Sequence, residues 1–172
     1  MKKLLLLFIL SFPFFCVAQT SLKFSEVIES DEVSSDILYS RANIWFVDVF
    51  KDADKVIQLK DKENGIIKAS PIVIYNGADD YYSGRIEYSI TLEFRDGRFR
   101  YTFENFTHSG RNINIGNITT HDEAQFRAMG SSKARRNAEW NNIKTVINDE
   151  VKFLINGLEK HVSIDNNEND DW

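Results

Sequence analysis

The feature that most limits what this chain can fold into is a pair of alternating runs around Asp96-Gly97. Arg85-Ile-Glu-Tyr-Ser-Ile-Thr-Leu-Glu-Phe-Arg precedes it and Arg98-Phe-Arg-Tyr-Thr-Phe-Glu-Asn-Phe106 follows. An Asp-Gly pair in this setting favours a two-residue type I′ turn, in which both central residues take positive φ. With that loop Arg95 faces Arg98, and Phe94 with Phe99, Leu92 with Tyr101 and Ile90 with Phe103 fall on one side of the ribbon. Glu93 with Arg100, Thr91 with Thr102 and Ser89 with Glu104 fall on the other, including one favourable cross-strand ion pair. A slip by one residue would turn Phe99, Tyr101 and Phe103 into water, so turn and pattern enforce one register. The expectation is the middle of an antiparallel sheet with one apolar and one wet face.

The other elements arrange themselves around this hairpin. Ser21 to Glu29 reads as a first strand with Leu22, Phe24 and Val27 on its apolar side. Ser34 or Ser35 can cap a helix from about Asp36 to Phe50, since a serine hydroxyl accepts from the orphan N–H groups of the first turn. Its stripe is Leu38, Ala42, Trp45 and Val49, widened by Ile37, Ile44 and Phe46, which predicts a mostly buried helix. Val56, Ile57 and Leu59 suggest a second strand, and Asn64-Gly65 a tight turn into a third, Ile66 to Tyr75. Pro71 interrupts the third strand and, lacking an N–H, marks an edge or a bulge. Asn76 to Gly84 is a loop. Beyond the hairpin, Thr107 to Ser132 loses periodicity, and so long a connection is typically functional or mobile. Trp140, Ile143, Ile147, Val151, Leu154 and Leu158 then form one stripe of a helix from about Lys133 to His161.

The N-terminus reads as an address. Lys2 and Lys3 precede the apolar run Leu4 to Phe15, and Cys16-Val17-Ala18 offers a small-x-small cleavage site that would leave Gln19 first. The run is shorter than the ~20 residues that span a bilayer. Cleavage would remove the only cysteine and deepen the net charge of −5 by the two lysines. The mature chain is then expected to lack a thiol, a disulfide and a transmembrane segment. It should be a poor partner for nucleic acid, which asks for a basic footprint. Residues 19–162 are read as a single domain. The acidic, Asn-rich residues 163–172 are read as a disordered tail.

The order strand, helix, four strands, long helix is that of the TATA-binding-protein-like (TBP-like) fold, an α+β class in which two helices cover one face of an antiparallel sheet. With Leu38-Tyr-Ser-Arg-Ala-Asn-Ile-Trp45 in the first helix and Asp96-Gly-Arg-Phe-Arg-Tyr101 in the hairpin, the chain resembles a family of exported bacterial proteins of unknown function assigned to that fold. The resemblance covers most of residues 20 to 106. It implies the two-layer architecture and brings no catalytic residues with it; the fold name does not imply DNA binding, because function resides in sites.

Chemical motifs are sparse. His108, His121 and His161 have no ligand spacing among them, and the sequence contains no Gly-x-Ser-x-Gly elbow or Gly-rich phosphate loop. No cofactor is expected. An enzyme would have to draw on His108, His121 and Asp122, as a hydrolase or around a metal ion. Asp79 and Asp80 form a carboxylate pair without an EF-hand pattern. Lys133, Arg135 and Arg136 sit where a helix dipole disfavours cations, which would suit an anionic partner. The leading expectation is a non-enzymatic binding module for an envelope protein or a small ligand. Its candidate surfaces are the loops around Tyr81, Tyr82 and Arg111 and the wet sheet face with Glu93, Arg95, Arg98 and Arg100. Self-association through an edge near Pro71 is a third expectation.

Overall fold

The structure is a computed structural model that describes residues 20–162. The expected leader (1–18) and tail (163–172) lie outside the described residues. In chain order the elements are β1 (Phe24–Glu29), α1 (Ser35–Val49), α2 (Ala53–Val56), β2 (Ile57–Asp61), β3 (Ile66–Ala69), β4 (Ile72–Tyr75), β5 (Gly84–Arg95), β6 (Arg98–Gly110), β7 (Gly116–Asn117) and α3 (Lys133–Val162). The strands form one antiparallel sheet in the order β1-β6-β5-β3-β2, with β4 also on β5 and β7 on β6.

The hairpin register is the expected one: Arg95 faces Arg98, Phe94 faces Phe99, Leu92 faces Tyr101 and Ile90 faces Phe103. All six apolar members of these pairs are buried. The turn itself is not type I′. Gly97 has φ +74 while Asp96 does not take positive φ. Tertiary bonds decide this: Asp96 Oδ1 accepts from the Ser35 amide at 2.8 Å, Gly97 N donates to Val33 O at 2.9 Å, and Ser30 N donates to Gly97 O at 2.8 Å. The turn therefore holds the start of α1, and the Ser35 amide keeps the Asp96 carboxyl below the usual carboxylate range.

Along β6 the inward set changes parity. Asn105 takes φ +63 and the ladder shifts between Glu87 and Ser89, so Phe99, Tyr101 and Phe103 face inward before the bulge and Phe106 and His108 after it. A single extra residue re-aims the second half of the strand. Pro71 splits the expected third strand into β3 and β4; both pair with β5, one along Ile90–Glu93 and the other along Gly84–Glu87. Val56 ends the short α2 instead of opening β2. Strand β1 begins at Phe24, and Val27, expected on the apolar side, is 47% exposed on the opposite face, with Ile28 packed toward the core.

The core lies between the inward face of the sheet and α1 with α3. Leu38, Ala42, Trp45 and Phe46 are fully buried as expected, but the stripe widens on the Phe46 side toward Tyr39, not toward Ile37 and Ile44. At 100° per residue Tyr39 and Phe46 lie on one flank of the stripe and Ile37 and Ile44 on the other, so a single covered side cannot bury both. On α3 every expected stripe residue is buried, and Gly157 lets the Trp45 ring approach: a methyl there would stand 3.1 Å from its Nε1.

Candidate functional site

Because side chains alternate across a strand, the residues between the core positions form the second face of the sheet, and no helix of the described residues covers it. Two clefts indent it. One, of about 470 Å³, is lined by Lys23, Ser25, Ile66, Lys68, Thr91, Glu93, Arg100, Thr102 and Glu104. The other, of about 230 Å³, sits toward the hairpin turn between Val27, Glu93, Arg95, Arg98, Phe99 and Arg100. They share Glu93 and Arg100, whose ion pair at 2.9 Å stands across the ladder at the expected position. Lys23 pairs with Glu104 at 3.0 Å, and Ser25 Oγ and Thr102 Oγ1 share a hydrogen bond of 2.9 Å. Arg95, Arg98 and Lys68 have neither an ion pair nor a side-chain hydrogen bond among the described residues. Five cations and two carboxylates line the two clefts, on a chain whose net charge is −5.

The other expected contact surface divides. Tyr82 is 1% exposed and belongs to the core: its hydroxyl bonds to Ser131 Oγ, its ring meets Phe126 at 6.3 Å, and Arg135 lies over it at 5.6 Å. It is therefore not a contact residue. Tyr81 is half-buried against Tyr82. Arg111 is exposed beside a third depression of about 330 Å³ with Ile74, Gly84 and Arg85, at the end of the hairpin away from its turn. Thus Glu93, Arg95, Arg98 and Arg100 come together, and Tyr81, Tyr82 and Arg111 do not join them.

The charges that pointed to an anionic partner at the start of α3 are satisfied within the chain. Arg135 pairs with Asp79, Lys133 with Glu123 at 2.8 Å, and Arg136 donates to Ser131 O at 2.6 Å. Of the Asp79–Asp80 pair, Asp79 is likewise taken up, since it also accepts from the Tyr81 amide. Sequence reasoning missed Glu139, which is 1% exposed on the buried side of α3. It accepts from the Tyr75 hydroxyl at 2.6 Å and the Ala78 amide at 3.2 Å, tying the 76–84 loop to the helix. Burial, then this carboxylate, pushes the Tyr75 phenol well above its ordinary pKa. Its signal was a glutamate directly before the stripe residue Trp140, on the border of the apolar face.

His108, which an enzyme would have had to use, is fully buried. The Ile115 amide donates to Nδ1 at 3.3 Å, which leaves the proton on Nε2 to donate to Tyr82 O at 3.1 Å. Both nitrogens are engaged, so this ring has none left for a metal or a substrate. His121 meets α3 through its backbone carbonyl, which accepts from Trp140 Nε1 at 2.7 Å and Lys144 Nζ at 3.0 Å. Among the described residues no group of three His, Cys, Asp or Glu side chains is placed to hold a metal ion.

The buried imidazole makes stability depend on pH. Burial holds its pKa below the ordinary 6.5, against the smaller opposing pull of the Tyr82 carbonyl. The unfolded chain therefore binds a proton before the folded one does. This contribution is intact above about pH 6.5 and is lost as pH falls toward the folded pKa, at up to about 1.4 kcal/mol per pH unit. Urea unfolding at pH 7.5 and 5.5 should show the loss, and His108→Gln should flatten it. An equal slope in that variant would remove His108 from the account.

The family described as "Domain of unknown function (DUF4468) with TBP-like fold" matches residues 24–109. The chain belongs to this family. The DUF4468 match runs from the first residue of β1 to near the end of β6, so it contains every lining residue of both clefts except Lys23 and leaves α3 outside. A DUF4468 family protein from Bacteroides ovatus is similar in structure, with a TM-score of 0.58 at 16% identity, covering 87% of this chain and 90% of that one. A TBP-like protein from Parabacteroides distasonis has a TM-score of 0.56 at 12% identity, covering 82% of this chain and 94% of that one. No curated protein matches the chain. At these identities the likeness shows the fold alone: an open antiparallel sheet with helices, the α+β TBP-like architecture. No helix of the described residues is long and apolar enough to cross a membrane.

Proposed function

We propose that this DUF4468 chain is a non-enzymatic, exported module that binds an envelope protein or a small ligand through the uncovered face of its sheet. The observation that carries the reading is the asymmetry of the two layers. One face of the sheet shares a single apolar core with α1 and α3, while the other keeps two clefts joined at the Glu93–Arg100 pair. Half-exposed charges and hydroxyls positioned on rigid strands make a recognition surface. The engagement of both His108 nitrogens weighs against the alternative, a hydrolase or metal-dependent enzyme. Export rests on the leader pattern of residues 1–18, and the acidic balance weighs against nucleic acid.

Photo-crosslinking in cells tests the reading. A p-benzoylphenylalanine placed at Thr91, inside the larger cleft, is expected to give discrete adducts, whereas the same probe at the exposed helix position Lys152 gives none. Adducts from Lys152 alone, or none from Thr91, would remove the sheet face as the binding surface.

A further inference from the structure

The geometry points to a more specific ligand for this face: an extended acidic peptide that adds as a strand to the free edge of β1 and places a carboxylate in the cleft of Arg95, Arg98 and Arg100. The inference rests on the reading of the open face as a binding surface and names its ligand class.

Three observations meet at this place. Arg95 and Arg98 face each other directly across the two-residue turn, an arrangement of like charges that destabilises a hairpin unless an anion lies between or beside them. Asp96, the nearest carboxylate in sequence, is occupied by the Ser35 amide, and Glu29, opposite Arg98 on β1, makes no ion pair with it among the described residues. Arg100 is tethered through Nε to Glu93, and that contact leaves its two terminal nitrogens unpaired among the described residues. A planar guanidinium held in this way is suited to accept a carboxylate through paired N–H groups.

The second observation is the edge. β1 is the terminal strand of the sheet, and Phe24–Glu29 pairs with β6 alone. The outward half of its N–H and C=O groups has no partner among the described residues, which is the template an added strand uses. The third is register. Val27 lies opposite Arg100 and Glu29 opposite Arg98. A strand added to β1 lies ~4.8 Å beyond it, so an acidic side chain beside Val27 points across this small apolar surface toward Arg100. One beside Glu29 would meet a like charge. The arginines thus select the sign of the ligand, and Glu29 restricts the position along the edge at which its acid can stand.

The test uses the full chain and two fluorescein-labelled peptides, Ser-Thr-Glu-Val-Glu-Thr-Ser and the same peptide with Gln for each Glu. Anisotropy titrations at low and moderate salt are expected to show the acidic peptide binding at least tenfold more tightly, with the difference shrinking as salt rises. Arg95→Gln with Arg98→Gln is expected to weaken it at least tenfold and to leave the melting temperature unchanged or higher, since a like-charge pair is removed. Hydrogen exchange should slow at the outward amides of Phe24–Glu29 in the complex. Equal affinity for both peptides, unaltered binding by the double variant, or binding without slowed β1 exchange would each overturn the inference. So would tighter binding of polygalacturonate that the double variant abolishes, which would make the ligand an acidic polysaccharide. If the peptide fails while Thr91 adducts persist, only this inference falls; if those adducts are absent too, the binding face falls with it.

Discussion

Phe103→Ala is expected to lower the free energy of unfolding by about 3–5 kcal/mol. Phe103 is fully buried on β6, facing Phe24 of β1 on one side and Ile90 of β5 on the other. Its ring meets those of Tyr101 at 5.7 Å and Tyr88 at 6.5 Å. The site cannot collapse around a smaller side chain, because its backbone is held by ladders on both edges, so the cavity term adds to the lost transfer energy. Thr91→Ala, on the opposite face, should stay within about 0.5 kcal/mol of the parent. Urea unfolding of the two variants measures the contrast. A loss below 1 kcal/mol for Phe103→Ala would mean that the apolar side of the hairpin is not the core.

Gly84→Val is expected to cost about 3 kcal/mol, at the upper end of overpacking effects. A Cβ at Gly84 would stand 2.5 Å from Ser109 O, 2.8 Å from the Gly110 Cα and 2.8 Å from His108 Nε2. Two of these are backbone atoms of the partner strand, and the third is a ring held at both nitrogens, so none can yield alone. The pair Gly84 and Gly110 is what lets β5 and β6 close over His108. Gly97→Ala is the informative comparison: nothing lies within 4 Å of its Cβ, but φ is +74, so the expected cost is the left-handed penalty of about 1–2 kcal/mol. Chemical denaturation of both variants separates steric overlap from backbone strain. Equal losses would show that the strand pair relaxes around the added side chain.

Much of the architecture was legible because it is written in periodicity. The alternation around Asp96-Gly97 has one register that keeps Phe94, Phe99 and Phe103 on one side, and the stripe from Trp140 to Leu158 has one buried face; both hold in the structure. Three local expectations gave way to long-range contacts. The turn lost its type I′ form to the segment Ser30–Ser35, whose groups bond to it. The parity change at Asn105 has no signature in the pattern, because asparagine at positive φ reads like any polar residue on a strand. Tyr82, read as a contact residue, and His108 and Glu139, which no pattern places in the core, are each buried with a partner distant in sequence: Ser131, the Tyr82 carbonyl and Tyr75. The cations of the open face were legible residue by residue. That Arg100 has a tether while Arg95 and Arg98 do not depends on distances no spacing rule supplies.

The first and last described elements meet the same central hairpin. β1 completes it along one edge, and α3 seals its oily side last, with Glu139 and Arg135 fastening the 76–84 segment in passing. A nascent polypeptide therefore cannot close this layer until α3 has left the ribosome. Under the export proposed above, which threads a chain through its channel unstructured, such late closure would keep it transportable.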